Sequence, residues 1–264
     1  MSSSRLTEFR EGAVWTETLE WDSAILGIPS AKINAFFVFG NQWTDANSLS
    51  LVEDAEVMLR DMGAKFASCR ICYSNRPLID ALLMNGWQLR DILAIYVAPS
   101  PPPRSSPNTA QIVDLAPLEA TNFLDHFSSS FRHARMYRDP KISQAIADHF
   151  YRRLCERVLQ NASGKTVGIL SKTRVAGIAV GGFDADLKKQ LNINLTYLWQ
   201  ITVFPEFRGM GLSAALLRGF QNRFQNADVI EIGTQIDNVP ANRLYSRAGL
   251  RHSATAITLH KWFA

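Results

Sequence analysis

The sequence predicts a mixed α/β fold, and three observations carry that prediction. Short apolar runs such as Val229 to Gln235 are interleaved with stretches whose apolar residues recur every three or four positions, such as Leu212, Leu216, Leu217 and Phe220. A glycine-rich turn, Arg208-Gly209-Met210-Gly211, joins one of the runs to one of the stretches. A strand–helix–glycine–strand unit occurs near residue 75 and again near residue 238.

The totals bound the answer. A chain of 264 residues can bury a substantial core in one large or two small domains. It is 47% hydrophobic and 20% charged, ordinary for a folded soluble protein. A net charge of +4 without a dense Lys/Arg block does not point to nucleic acid, but suits a small acidic ligand. Three cysteines are too few for a disulfide framework; Cys69 and Cys72 read as strand residues, and no metal site is expected. Neither a signal segment nor an apolar run long enough to span a bilayer is evident, so the expectation is a cytoplasmic protein without membrane insertion.

In the first third, Val14-Trp15, Ile25-Leu26 and Ile33 to Phe39 read as strands. Leu49 to Met62 is an amphipathic helix, with Leu51, Val52, Ala55, Met58 and Leu59 on one face. Lys65 to Tyr73 is a strand, Asn75 to Asn85 a helix with Pro77 in its first turn, Gly86 its stop, and Gln88 to Val97 another strand. Shifted by 163 residues, Asn75, Leu82 and Gly86 fall on Asn238, Tyr245 and Gly249. The first third thus reads as a degenerate half-copy of the chain's end. The run Pro99 to Pro107, with proline too dense for a helix or a central strand, is the expected linker. The expected domains are 1–104 and 108–264.

Gln111 to Asp114 is a strand and Pro117 to Phe127 a helix with Leu118, Phe123 and Leu124 inward. Ser128 to Pro140 is polar, aromatic and basic without a period; Arg132, Arg135 and Arg138 are candidates to grip phosphate through paired N–H donors. Ile142 to Leu159 is a long helix. Val167 to Ser171 and Arg174 to Phe183 form a hairpin, and a second hairpin turns at Asp184 to Gln190 into a strand ending at Phe204. A helix then crosses over, so Val229 to Gln235 should lie parallel to that strand. Ala241 to Arg247 is a helix, Gly249 its cap, and Thr255 to Trp262 the closing strand.

The loop Val203-x-Pro205-x-x-Arg208-Gly209-x-Gly211 opens the helix Ser213 to Phe224. Its glycines carry no Cβ to crowd a ligand, and the first helical turn offers unpaired N–H groups at the positive end of the helix dipole. That is an anion site suited to a pyrophosphate. The loop resembles the acetyl-CoA signature of the GCN5-related N-acetyltransferases, Arg/Gln-x-x-Gly-x-Gly/Ala. Ser213 stands where the family has Gly or Ala. Asn238-x-x-Ala241-x-x-Leu244-Tyr245-x-x-x-Gly249 resembles the same family's second signature.

The resemblance implies the family's acyl-CoA fold for 108–264, preceded by the smaller degenerate α/β copy. It implies acetyl-CoA as co-substrate, held by Ile201, Val203, Arg208, Gly209, Met210, Gly211, Leu212, Ser213 and Asn238, with pantetheine lying along the Ile201–Val203 strand. Acyl transfer to an amine needs a polarised thioester carbonyl, a neutral attacking amine and a proton for the departing thiolate. Tyr245 matches the family's acid for that thiolate. Asn238 is read either as a CoA contact or as a helix N-cap. The strand before the loop carries no carboxylate, so the base is left among His133, Asp184, Asp186 and water.

Further islands resemble the nucleotide-sugar branch of that family, which acetylates the 4-amino group of a TDP-linked 4-amino-4,6-dideoxygalactose for cell-surface polysaccharide. They are Trp21-Asp22-Ser23-x-x-Leu26-Gly27-x-Pro29-x-Ala31-x-Ile33, the stretch from Phe131-Arg132 through Tyr137, Pro140 and Phe150-Tyr151, and the ending from Thr234-Gln235-x-x-Asn238 to Thr255. The resemblance implies a substrate loop containing Arg132, His133, Arg135, Tyr137 and Arg138. A homodimer is compatible with these features. The competing readings are an acetyltransferase for another small amine or a protein N-terminus, and a non-catalytic CoA-binding module.

Overall fold

A computed structural model describes residues 3–40, 42–99, 111–161 and 164–264, without the side chains of Leu118 and Asp186. The expected linker therefore lies outside the described residues from Ser100 onward. The chain divides into two compact units, each drawn from several segments. Unit 1 comprises 1–93, 133–150 and 254–264; unit 2 comprises 94–132 and 151–253.

The chain starts with strands β1 (Ser4–Glu8) and β2 (Gly12–Thr18), which pair antiparallel. Helix α1 (Glu20–Leu26) follows, closed by Gly27 at φ 71°. The Ile25-Leu26 run expected as strand is the last turn of this helix, because the residue after it is a glycine free to adopt the left-handed stop. Strand β3 (Ser30–Val38) pairs with β2. Helix α2 (Asp45–Asp61) begins earlier than its apolar face suggests, since Thr44 and Asn47 form a reciprocal capping box: the Asn47 N–H donates to Thr44 Oγ1 at 3.2 Å and the Thr44 N–H to Asn47 Oδ1 at 2.9 Å. Strand β4 (Phe66–Cys72) runs parallel to β3, and helix α3 (Arg76–Met84) leads to β5 (Gln88–Pro99). Cys69 and Ile71 are buried and Cys72 is exposed, the alternation of a half-buried strand.

In the second half, β6 (Ile112–Leu115) precedes α4 (Pro117–Ala120) and α5 (Leu124–Ser128). The single helix expected over Pro117 to Phe127 is broken by a 3₁₀ turn at Thr121–Phe123, where Thr and Asn are weak helix formers. Helix α6 (Gln144–Leu159) is followed by the antiparallel hairpin β7 (Gly164–Ser171) and β8 (Arg174–Phe183). The turn expected at Asp184 to Gln190 is instead a helix, α7 (Ala185–Leu191). Asp184 caps it, accepting from the Leu187 N–H at 2.8 Å, and Asn192 ends it at φ 56°. The chain closes with β9 (Leu195–Val203), α8 (Leu212–Arg223), β10 (Val229–Gln235), α9 (Val239–Arg247) and β11 (Arg251–Trp262). The elements make the fold mixed α/β, as expected.

Within each unit both parallel and antiparallel strand pairs occur, around that unit's own core. In unit 1, β1, β2, β3 and β4 lie in that order and the second half of β11 pairs antiparallel with β4. Leu51, Val52, Ala55 and Leu59 of α2 and Leu78 and Leu82 of α3 pack on this sheet with Ile257 and Leu259. In unit 2, β9, β8, β7 and β6 are successive neighbours, with β10 on the other side of β9. One face of this sheet is covered by α8, through Leu216, Leu217 and Phe220, and by Tyr245 of α9. The other face carries α5 and α6, through Phe127, Cys155 and Leu159 on Ile178 and Val180. Fully burying such side chains stabilises by about 1.5–3 kcal/mol each. Among the described residues no helix is long and apolar enough to cross a membrane.

Candidate active site

Strands β9 and β10 form a fork. They pair in parallel only from Leu195 with Val229 to Leu198 with Ile232, and beyond that point β9 keeps only its antiparallel neighbour β8. A register shift at Val180/Gly181 places a bulge in β9 at Trp199, just past the last parallel pair. The Phe204 N–H donates to the Ala176 carbonyl of β8 at 2.8 Å. By strand alternation the Thr202 N–H points the same way, and those of Ile201 and Val203 point into the fork. The structure thus places Ile201 and Val203 on the edge of β9 that β10 leaves unpaired.

At the end of β9 the chain turns through Pro205–Phe207 into Arg208, Gly209, Met210 and Gly211, all exposed. Gly209 and Gly211 have φ of 79° and 72°, and Gly211 is the N-cap of α8 without a side-chain cap. No protein atom lies within 4 Å of where a Cβ would stand at either glycine. Their first requirement is therefore the left-handed backbone, and the space above them is open. No acidic residue occupies the first turn of α8; Leu212 is buried there and Ser213 half-buried. Arg208 Nε donates to the Val203 carbonyl at 3.3 Å, which ties the loop to the fork edge. A twelve-residue helix with bare N–H groups beside an open strand edge is an arrangement for an extended ligand ending in an anion.

Tyr245 is buried in the core under α8, edge-on to Tyr96 at 5.6 Å between ring centres. Burial, with Tyr96 adding to it, pushes its phenol above the usual range, so it is a protonated donor at neutral pH. Asn238 caps α9, its Oδ1 accepting from the Ala241 N–H at 3.4 Å while its Nδ2 donates to Thr234 Oγ1 at 3.1 Å. The N-cap alternative is the one the geometry displays.

The basic segment is divided between the units. Arg132 is exposed and belongs to unit 2; His133, Arg135, Tyr137 and Arg138 belong to unit 1. His133 and Arg138 are exposed, and the Tyr137 hydroxyl donates to Asp148 Oδ1 at 2.6 Å. Arg135 is drawn into unit 1: Nη1 lies 3.1 Å from His260 Nε2, Nη2 lies 3.5 Å from Asp22 Oδ2, and the guanidinium sits over the Phe150 ring. Because arginine only donates, His260 Nε2 must accept, and its Nδ1–H donates to Asp139 Oδ2 at 2.7 Å. Burial and the neighbouring arginines bring the His260 pKa down to about 4 against the pull of Asp139. Burial would raise Asp139, but hydrogen bonds from His260, Trp262 and the Lys141 backbone, with the Arg90 charge, hold it well below the carboxylate range. Sequence reasoning missed this cluster, whose members range from Asp22 to Trp262 along the chain.

Of the candidate bases, Asp184 caps α7 and accepts a hydrogen bond from the Tyr197 hydroxyl. Asp186 lies in α7 with its side chain outside those described. Sequence reasoning also missed Glu231, which faces Tyr197 across the pair next to the fork. A lone carboxylate in the apolar run Val229-Ile230-Glu231-Ile232 was the available signal.

Residues 124–250 match the Acetyltransferase (GNAT) family model. The chain is similar in structure to a GCN5-related N-acetyltransferase from Kribbella flavida, with TM-score 0.64 and 16% identity over 99% of this chain and 91% of that one. A GCN5-related N-acetyltransferase from Sphaerobacter thermophilus gives TM-score 0.60 and 13% identity over 96% and 81%. A tandem GNAT protein from the clavulanic acid biosynthesis pathway gives 0.59 and 12% over 96% and 79%. No curated protein matches the chain. The fold is the GNAT fold.

Proposed function

We propose that the protein transfers an acetyl group from acetyl-CoA to the amine of a small acceptor. The carrying observation is the β9/β10 fork, which opens beside the uncapped N-terminus of α8. Acetyl-CoA would lay its pantetheine along Ile201 and Val203 and its pyrophosphate on the amides from Arg208 to Ser213. Backbone N–H groups at the fork would polarise the thioester carbonyl where negative charge develops. Tyr245 would protonate the departing thiolate. The match of residues 124–250 to an acetyltransferase family supports this reading.

The finer reading is an acceptor of the TDP-fucosamine type, a dTDP-linked 4-amino-4,6-dideoxy sugar, in accord with the islands around Trp21 and Phe131. Arg132 or Arg138 would meet the diphosphate, while Arg135, committed to Asp22 and His260, would hold the segment in place. Calorimetry with acetyl-CoA, followed by thiol release in the presence of amines, tests the first step. Binding with turnover on the dTDP-amino sugar, and not on other amines or peptide N-termini, supports the finer reading. Turnover confined to another amine overturns the acceptor alone, and tight binding without turnover on any amine would make the chain a CoA-binding module.

A further inference from the structure

We propose that Glu231 is the general base of the acetyl transfer and that Tyr197 positions it, an inference that presupposes the acetyl transfer proposed above. Glu231 and Tyr197 are cross-strand partners, one pair before the last parallel pair of the fork. Ile230, Ile232 and Leu198 are buried in the core beneath α8 and α9. Successive strand side chains alternate, so Glu231 and Tyr197 point to the opposite face. The next residue on the face of Glu231 is Gly233, the first of β10 beyond the fork. It is exposed, with no atom within 4 Å of where its Cβ would stand. A carboxylate thus stands at the crotch of the fork, next to the open space over Gly233.

Two further observations separate this from an ordinary strand glutamate. Glu231 is half-buried, and burial alone sets its pKa, raised above the usual range. A desolvated carboxylate is costly to keep for structure alone, and burial strengthens it as a proton acceptor. Tyr197 of β9 is the titratable group paired with it across the strands, and Asp184 at the start of α7 lies against Tyr197. The Tyr197 hydroxyl donates to Asp184, which fixes the ring beside Glu231. Tyr245 packs in the core on the other face, so base and acid flank the thioester from opposite sides of the sheet.

The proton balance is complete. The amine nitrogen attacks the thioester carbonyl and forms the C–N bond; Glu231 takes the proton that nitrogen sheds. The tetrahedral intermediate expels the thiolate, breaking the C–S bond, and Tyr245 supplies the thiolate's proton. One acetyl group moves; the proton gained by Glu231 equals the one given up by Tyr245, and exchange with solvent resets both groups with no net proton released from a neutral amine.

The test is Glu231→Gln, compared with wild type in acetyl-CoA affinity by calorimetry and in the pH profile of thiol release with an accepted amine. The expected result is unchanged affinity, a kcat at least a hundredfold lower at pH 7, and loss of the acidic limb of the profile, with partial recovery at high pH where the amine is already neutral. Glu231→Asp should retain the acidic limb at reduced rate, and Tyr197→Phe should shift the limb while leaving acetyl-CoA affinity intact. A Glu231→Gln profile that keeps the wild-type acidic limb overturns this proposal alone. Wild-type protein that neither binds acetyl-CoA nor releases thiol overturns the acetyl-transfer reading along with it.

Discussion

The strand–helix–strand β4-α3-β5 and its later copy β10-α9-β11 have the same boundaries at both ends of all three elements, 163 residues apart: 66–72 against 229–235, 76–84 against 239–247, and 88–99 against 251–262. The caps repeat as well. Asn75 and Asn238 each accept from a backbone N–H three residues on, and Gly86 and Gly249 stand after the helices at φ 78° and 84°. Each unit also has a four-pair parallel fork: β3 and β4 pair from Ser30 with Phe66 to Ile33 with Cys69, as β9 and β10 do in unit 2. What differs is the chemistry at equivalent places. In unit 2 the helix following the first strand of the fork starts bare at Gly211; in unit 1 it starts under the Thr44 box with Asp45 in its first turn. The amides that would meet an anion in one copy are already satisfied, and faced by a carboxylate, in the other. Tyr245 is Leu82 in the first copy, and His260 is Val97. One backbone plan has been kept twice, and its ligand-facing chemistry only once.

The comparison can be broken by four changes. The largest effect is expected from Tyr245→Phe, which gives unit 2 the apolar character of Leu82: kcat for thiol release should fall about a thousandfold with acetyl-CoA affinity unchanged. Steady-state kinetics with calorimetry checks it, and an unaltered kcat removes Tyr245 from its role. Next is the cluster without a counterpart in β5. The fold keeps His260 neutral down to about pH 4, while the unfolded chain takes up the proton below about 6.5. Stability is therefore full above pH 6.5 and should decline by on the order of 3 kcal/mol on descending to pH 4. Denaturant titrations across that window should show the decline, and His260→Gln should flatten it.

A smaller effect is expected from Ser213→Asp, which copies the acidic first turn of α2 onto α8. Acetyl-CoA affinity should weaken about tenfold, roughly 1.4 kcal/mol, and calorimetry at two salt concentrations should show the loss shrinking as salt rises. The smallest is Thr44→Ala in unit 1, which should cost about 1 kcal/mol of stability by urea denaturation and leave acetyl-CoA affinity untouched. An affinity change there would mean that unit 1's fork takes part in binding.

Much of this was legible in the chain. The Gly209/Gly211 turn, the caps at Asn75 and Asn238, and the echo between the two copies are local patterns of a few residues, and the structure has them where expected. Local signals also misled. Ile25-Leu26 looks like strand as an apolar pair, although the glycine that follows is a helix stop, and Asp184 looks like a turn residue but caps α7. Glu231 gives no local signal beyond being a charge in an apolar strand; its place beside the fork depends on how β10 pairs with β9.

The amino-acid order by itself determined most of the elements, the left-handed glycines and the bare start of α8, because each depends on residues within one or two turns of each other. The tertiary structure alone decided where β10 parts from β9, that Glu231 and Tyr197 share a face, and that Asp139 meets His260 across 121 residues. Those outcomes depend on which strands pair and how far the pairing runs. Many distant contacts settle that together, and no short stretch encodes it.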